Sequence, residues 1–193
     1  MQHHKKQKKR ILIFAVILGI FLLAGSNLTA VNTFDQTYFD KVYKNHTPFG
    51  DVFFPTVNEF GDGRFDYAVN LVYFTFGNEK DRDFAKINSL SLAATGLVIQ
   101  GIKMAAHRRR PTYDSYDSFP SGHTGYVFAM ATLFSDRYPK LRIPFYALAI
   151  STGIARMYLG KHYPSDVLVG AALGITIPAI MLHYKTNLLQ LRW

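Results

Sequence analysis

Between Lys103 and Asp166 the chain carries three groups of residues whose types and spacing suit phosphoryl transfer. The first is Lys103, six residues, then Arg110 and Pro111. The second is Pro120-Ser121-Gly122-His123. The third is Arg156, five residues, His162, three residues, Asp166. All three sit at the ends of apolar stretches, where a charged side chain is costly unless it has a task.

Seven positions, about two helical turns, separate Lys103 from Arg110. That spacing predicts both cations on one helix face, with Pro111 stopping the helix or turning the chain. Together they suit a doubly charged phosphate, Arg binding with a planar fork and Lys as a point charge. Ser121 reads as the cap of the apolar helix that follows, and the first-turn N–H groups beside it form an anion site. Gly122 lets the backbone approach an oxyanion closely, and His123 can protonate a leaving oxygen.

His162 and Asp166 are four apart, the spacing of neighbours on a helix face, with Pro164 marking where that helix starts. A carboxylate on one imidazole nitrogen fixes the tautomer and aims the other, as a nucleophilic His requires. Taken singly, each group has an ordinary alternative. Lys103 can snorkel beside a surface patch of arginines, Ser121 can be a plain cap, and His162 with Asp166 can be a structural pair. The three together, in order and on one predicted membrane face, favour chemistry. Arg108 and Arg109 read as attracting lipid headgroups, and Asp114 and Asp117 as solvated loop residues.

Long apolar elements must hold these groups. Of 193 residues, 49% are apolar and 15% aromatic, and 22 Lys and Arg stand against 13 Asp and Glu. The positive charge comes in short clusters between apolar runs, a pattern of membrane proteins and not of a basic nucleic-acid binder. With no cysteine, neither a disulfide framework nor a thiolate site is possible. Residues 1–10 form a basic cytoplasmic leader, and Ile11 to Val31 matches the ~20 apolar residues that span a bilayer. A signal peptide cleaved near Ala24-Gly25-Ser26 is the alternative. From there to Arg64 the chain is polar and aromatic, either a loop or short amphipathic helices at the interface.

Further spans are expected at Asp66 to Gly77, Phe84 to Ala106, Thr124 to Ser135, Ile143 to Leu159 and Val167 to His183. The first of these is the least certain because it is short, and the last carries Gly170 and Gly174 at helix-pair spacing. The expected fold is therefore all-α: a single membrane-embedded domain over 1–193, a bundle of about six transmembrane helices. Lys80, Arg82, Arg137, Lys140, Arg142, Lys185 and Arg192 then share the cytoplasmic side with the leader. The motif residues of 103–166 lie opposite, where His107-Arg108-Arg109-Arg110 breaks the usual charge bias and an anion site explains why.

Lys-x6-Arg-Pro, Pro-Ser-Gly-His and Arg-x5-His-x3-Asp make the chain resemble the type 2 phosphatidic acid phosphatase superfamily, membrane lipid phosphatases related to vanadium haloperoxidases. One departure is Ala155, where the family usually has Ser before Arg156. The resemblance implies His162 as nucleophile forming a phosphohistidine, Asp166 orienting it, and His123 as general acid and then base. It implies Lys103, Arg110, Arg156, Ser121 and Gly122 as holders of the phosphoryl oxygens. No metal and no cofactor are expected, since cations take the part of Mg²⁺ and no carboxylate cluster is evident. A lipid phosphate at the periplasmic face of a bacterial inner membrane is the implied substrate: a polyprenyl diphosphate, phosphatidate, phosphatidylglycerophosphate or lipid A. A non-catalytic protein that binds or transports such a lipid through the same pocket is the alternative. A soluble vanadate-dependent oxidase fits the apolar runs poorly.

Overall fold

The computed structural model describes residues 33–190; the basic leader and the run Ile11 to Val31 lie outside them. Two short helices, α1 (Thr33–Tyr43) and α2 (Pro48–Asn58), lead through a 3-10 turn to α3 (Arg64–Phe76). Then come α4 (Glu79–Ala106), α5 (Gly122–Arg137), α6 (Arg142–Tyr158), α7 (Pro164–His183) and the short α8 (Lys185–Gln190). Among the described residues there is no strand, as expected of an all-α fold.

Local chemistry sets these boundaries. Asn78 and Asp81 cap α4 reciprocally, each carboxyl or amide oxygen accepting the other's backbone N–H. Ser121 caps α5, and Pro164 occupies the first turn of α7, where its missing N–H is harmless. At its far end α4 stops at Ala106, because His107 adopts a left-handed conformation with φ 42°. The helix predicted to carry both Lys103 and Arg110 therefore ends four residues before Arg110. Hydrogen bonds from Ser118 N to Arg108 O (2.9 Å) and from Arg110 N to Ser115 O (2.9 Å) hold the loop that replaces it.

Two of these helices, α4 and α7, are long and apolar enough to cross a membrane. The 13, 16 and 17 residues of α3, α5 and α6 reach roughly 20–26 Å at 1.5 Å per residue, short of a ~30 Å hydrocarbon core. The expected six-span count thus has two long apolar helices behind it among the described residues.

Helix α5 forms the centre, packed against α4, α6 and α7. Gly170 and Gly174 let α7 approach it closely: a Cβ at Gly170 would come within 2.5 Å of Ser121 O, and one at Gly174 within 2.3 Å of Gly125 O. The Gly170 contact seats the N-terminal end of α7 against the start of α5, as the small-residue spacing anticipates. The segment from α1 to the 3-10 turn folds onto α6. Thr152 Oγ1 donates to Val57 O (3.0 Å) and Tyr158 OH to Asp51 Oδ1 (2.6 Å).

Candidate active site

His162 lies in the turn between α6 and α7, only 1% exposed. The chain reverses there through Gly160, at φ 68°, a conformation that glycine adopts without strain. Backbone N–H groups of Lys161 and His162 both donate to Arg156 O, tying the turn to the helix before it.

The His162 Nδ1 atom is 2.7 Å from the Ser118 carbonyl oxygen. A carbonyl only accepts, so Nδ1 carries the hydrogen and Nε2 of the neutral ring keeps its lone pair. Asp166 stands 3.7 Å from Nδ1. The sequence pattern suggests a direct carboxylate–imidazole hydrogen bond; in the fold a backbone carbonyl takes that place, and Asp166 acts on the ring as a nearby charge. Burial pushes His162 down to about 4, and the positive charges of Arg156 and Lys103 push the same way against Asp166. At neutral pH the ring is an uncharged base.

Asp166 is completely buried and well supplied with donors. Its carboxylate accepts from Ser118 Oγ (2.6 Å), Tyr163 N (2.7 Å) and Arg108 Nη1 (2.6 Å). Arg108 is a correction to the sequence reading, which sends it to lipid headgroups. It is 3% exposed, bonded to Asp35 Oδ2 (2.5 Å) and Ser165 Oγ (2.7 Å), with its guanidinium 4.8 Å from the centre of the Tyr163 ring. The run of arginines looks like a surface patch only while the helix is assumed to continue. Once α4 ends at Ala106, Arg108 turns inward. Arg109 remains exposed, 3.7 Å from Asp114.

The phosphate-binding candidates gather around this centre. Arg110 holds Asp117 with both arms of its fork, at 2.8 and 2.7 Å, and the Lys103 ammonium donates to the Asp117 carbonyl. Asp117 is therefore a partner of the cations and not simply solvated. Partial burial alone would raise its carboxyl, but the Arg110 bonds outweigh that and bring it down to about 2. Arg156, 2% exposed, donates to Asn58 Oδ1 at 2.7 Å. Lys103 lies within electrostatic reach of Arg110, Arg156 and Asp166. Ala155, at the family's serine position, is wholly buried.

His123 stands in the first turn of α5, packed by Gly61 and within electrostatic reach of Arg156, His162 and Lys161. Ser121 Oγ is used locally, accepting from Thr124 N and lying 2.9 Å from Thr124 Oγ1, while Ser121 N donates to Asp166 O. Gly122 faces open space, for a Cβ there would meet nothing within 4 Å. An anion could approach the helix start at that point.

Asp117 has a consequence for the bound state, since a phosphate must take Arg110 from it. Asp117→Asn is expected to lower KM by up to about five-fold, the scale of a half-exposed ion pair. Steady-state kinetics with kcat alongside would check it, and an increased KM would contradict it.

Four groups escaped the sequence: Asp35, Arg108, Ser118 and Asn58. Arg108 carried a weak signal as a charge beside an apolar helix. The other three are single polar residues 44 to 130 positions from the side chains they touch, and no local pattern marks them.

The profile of the PAP2 superfamily matches residues 85–189, more than half of the chain. Lipid A 1-phosphatase of Porphyromonas gingivalis is 39% identical over 94 residues, covering 47% of this chain and 21% of that protein. Decaprenylphosphoryl-5-phosphoribose phosphatase of Mycobacterium tuberculosis is 39% identical over 89 residues, 42% of this chain and 49% of its own length. The chain thus spans less than half the length of either curated relative. Among solved structures, Aquifex aeolicus LpxE superposes with a TM-score of 0.71 at 27% identity, over 79% of this chain and 97% of that one. A transmembrane PAP2 type phosphatidylglycerolphosphate phosphatase from Bacillus subtilis shares the fold over the full length of both chains, with a TM-score of 0.71 at 23% identity. Because the superfamily profile covers more than half of the chain, including the whole stretch from Lys103 to Asp166, the chain belongs to the PAP2 superfamily.

Proposed function

We propose that the protein is an integral-membrane lipid phosphatase working through a phosphohistidine at the external, periplasmic face of a bacterial inner membrane. The observation that carries this reading is the state of His162: buried, neutral, with Nδ1 bonded to Ser118 O, which leaves Nε2 its lone pair, and with Arg156 and Lys103 close by. Such a ring is a nucleophile, and the cations supply the charge stabilisation that phosphoryl transfer needs.

In the first step Nε2 of His162 attacks phosphorus and the bond to the lipid oxygen breaks. His123, which carries its proton once the anionic substrate is bound, gives it to that oxygen, so the lipid leaves as an alcohol, or as a lipid monophosphate from a diphosphate substrate. Lys103, Arg110, Arg156 and the N–H groups at Ser121 and Gly122 hold the phosphoryl oxygens throughout. In the second step His123 takes a proton from water, whose oxygen attacks phosphorus. The P–N bond breaks and inorganic phosphate departs. The set of cations around the phosphate repels a divalent metal, which supports metal-independent chemistry.

A lipid as leaving group is supported by a cavity of about 380 Å³, within the ~300–1,000 Å³ of ligand pockets. Below His123, positions 127, 131 and 134 continue the same face of α5, and Val127, Ala131 and Phe134 line that cavity with Val69 of α3 and Phe145 of α6. Val127, the lining residue of α5 closest in sequence to the proposed acid, is one turn from His123, so the apolar cavity supports a leaving lipid on that side. Related proteins named for lipid A, a decaprenyl-linked sugar phosphate and phosphatidylglycerolphosphate support the same class.

Purified protein in detergent should release phosphate from at least one of polyprenyl diphosphate, phosphatidate, phosphatidylglycerophosphate or lipid A. Vanadate should inhibit as a mimic of pentacoordinate phosphorus, and chelators should not. Binding of these lipids without release would instead identify a lipid-phosphate binding or transport protein.

A further inference from the structure

We propose that Asp35 and Arg108 form a positioning pair through which helix α1 holds the nucleophile His162 in register, an inference that rests on the phosphatase reading above. The argument begins with where Arg108 sends its bonds. Its guanidinium spans from Asp35 Oδ2 (2.5 Å) on α1 to Asp166 Oδ1 (2.6 Å) on α7, with Ser165 Oγ between them at 2.7 Å. Asp35 itself accepts from Ser165 N and Ser165 Oγ, both at 2.9 Å. None of the three charged groups is more than 3% exposed.

The same arginine reaches His162 by a second route. Its carbonyl accepts from Ser118 N at 2.9 Å. Ser118 then presents its own carbonyl to His162 Nδ1 and its hydroxyl to Asp166 Oδ2. Arg108, Ser118, His162 and Asp166 thus close a ring of contacts in which Ser118 is held on one side by backbone and on the other by side chain. Only the Nδ1 bond to Ser118 O fixes the tautomer that frees Nε2, so a shift of Ser118 would misdirect the attacking nitrogen.

The charges explain why Asp35 is needed. Arg108 and Asp166 alone would make a neutral buried pair, but of the neighbouring Lys103, Arg110 and Arg156 only Arg110 has a carboxylate partner among the described residues, Asp117, so positive charge is left in excess beside it. Asp35 supplies a second carboxylate to the guanidinium. Both ends of Arg108 are then bonded, and it bridges two helices whose own contact, Asp35 with Ser165, spans 130 positions of the chain. Removing one partner of such a buried pair leaves the other uncompensated. Outer partners that orient metal-ligating histidines alter activity by about 10–100-fold when changed, and the same order is expected for a pair that orients a nucleophilic one.

The test is Asp35→Asn, which keeps shape and removes charge, with Asp35→Glu as the conservative variant and Arg108→Lys as the second site. Each full-length protein is purified in detergent and assayed on whichever lipid phosphate the parent hydrolyses, with thermal unfolding measured in parallel. Asp35→Asn and Arg108→Lys are expected to lower kcat by about 10–100-fold with KM within about two-fold, because the phosphate-binding cations are untouched. Asp35→Glu should recover most of the loss. A kcat equal to the parent's, a loss carried by KM, or a loss that follows the unfolded fraction would each overturn the positioning role. If the parent released phosphate from no lipid, the phosphatase reading would fail instead, a result separable from failure of this inference.

Discussion

Replacing His162 with alanine is expected to abolish phosphate release, by at least about 10⁴-fold in kcat, as removal of a covalent nucleophile does in other enzymes. The substitution takes away the attacking nitrogen and leaves Arg110, Arg156 and Lys103 in place, so lipid-phosphate binding should persist. Turnover by the His162→Ala protein would reject the nucleophile assignment. The same residue sets an expectation for pH. Burial brings His162 from the usual 6.5 to about 4, so Nε2 is unprotonated above that value and blocked by a proton below it. The acid limb of kcat/KM should therefore fall near pH 4. A limb near 6.5 would mean that the ring is solvated in the working enzyme.

His123→Ala should produce the second largest effect, about 10²–10⁴-fold on a lipid substrate, the range for removal of a general acid or base. Its pattern is more diagnostic than its size. A lipid alkoxide is a poor leaving group and needs the proton, whereas a nitrophenolate leaves readily without one. With nitrophenyl phosphate the variant should release a burst of phenolate of about one per enzyme and then stall, because the second step still lacks a base for water. Rapid mixing would resolve this. Steady release of nitrophenolate at the parent rate would remove His123 from both steps.

The two histidines were legible as candidates because each sits in a short pattern: a capped helix start for His123, and a four-residue spacing after a turn for His162. The helices were equally legible where apolar runs were long, as in α4 and α7. Boundaries were not. The left-handed residue His107 ends α4 early, and that single change moves Arg108 from the surface to the interior and gives Arg110 a loop instead of a helix face. Helices α3, α5 and α6 are shorter than a bilayer is thick, so hydropathy alone does not fix their relation to the membrane.

What the amino-acid order determined is the family and the motif residues proposed to act, because cations, a capped helix start and a His–Asp spacing are local properties of neighbouring residues. What only tertiary structure decided is how the actors are held. The Ser118 carbonyl fixes the His162 tautomer across 44 positions, Asn58 grips Arg156 across 98, and Asp35 meets Arg108 across 73. A solitary carbonyl, amide or carboxylate has no periodicity to betray it. Its partner is set by how separate helices pack, and that information exists only once the chain has folded.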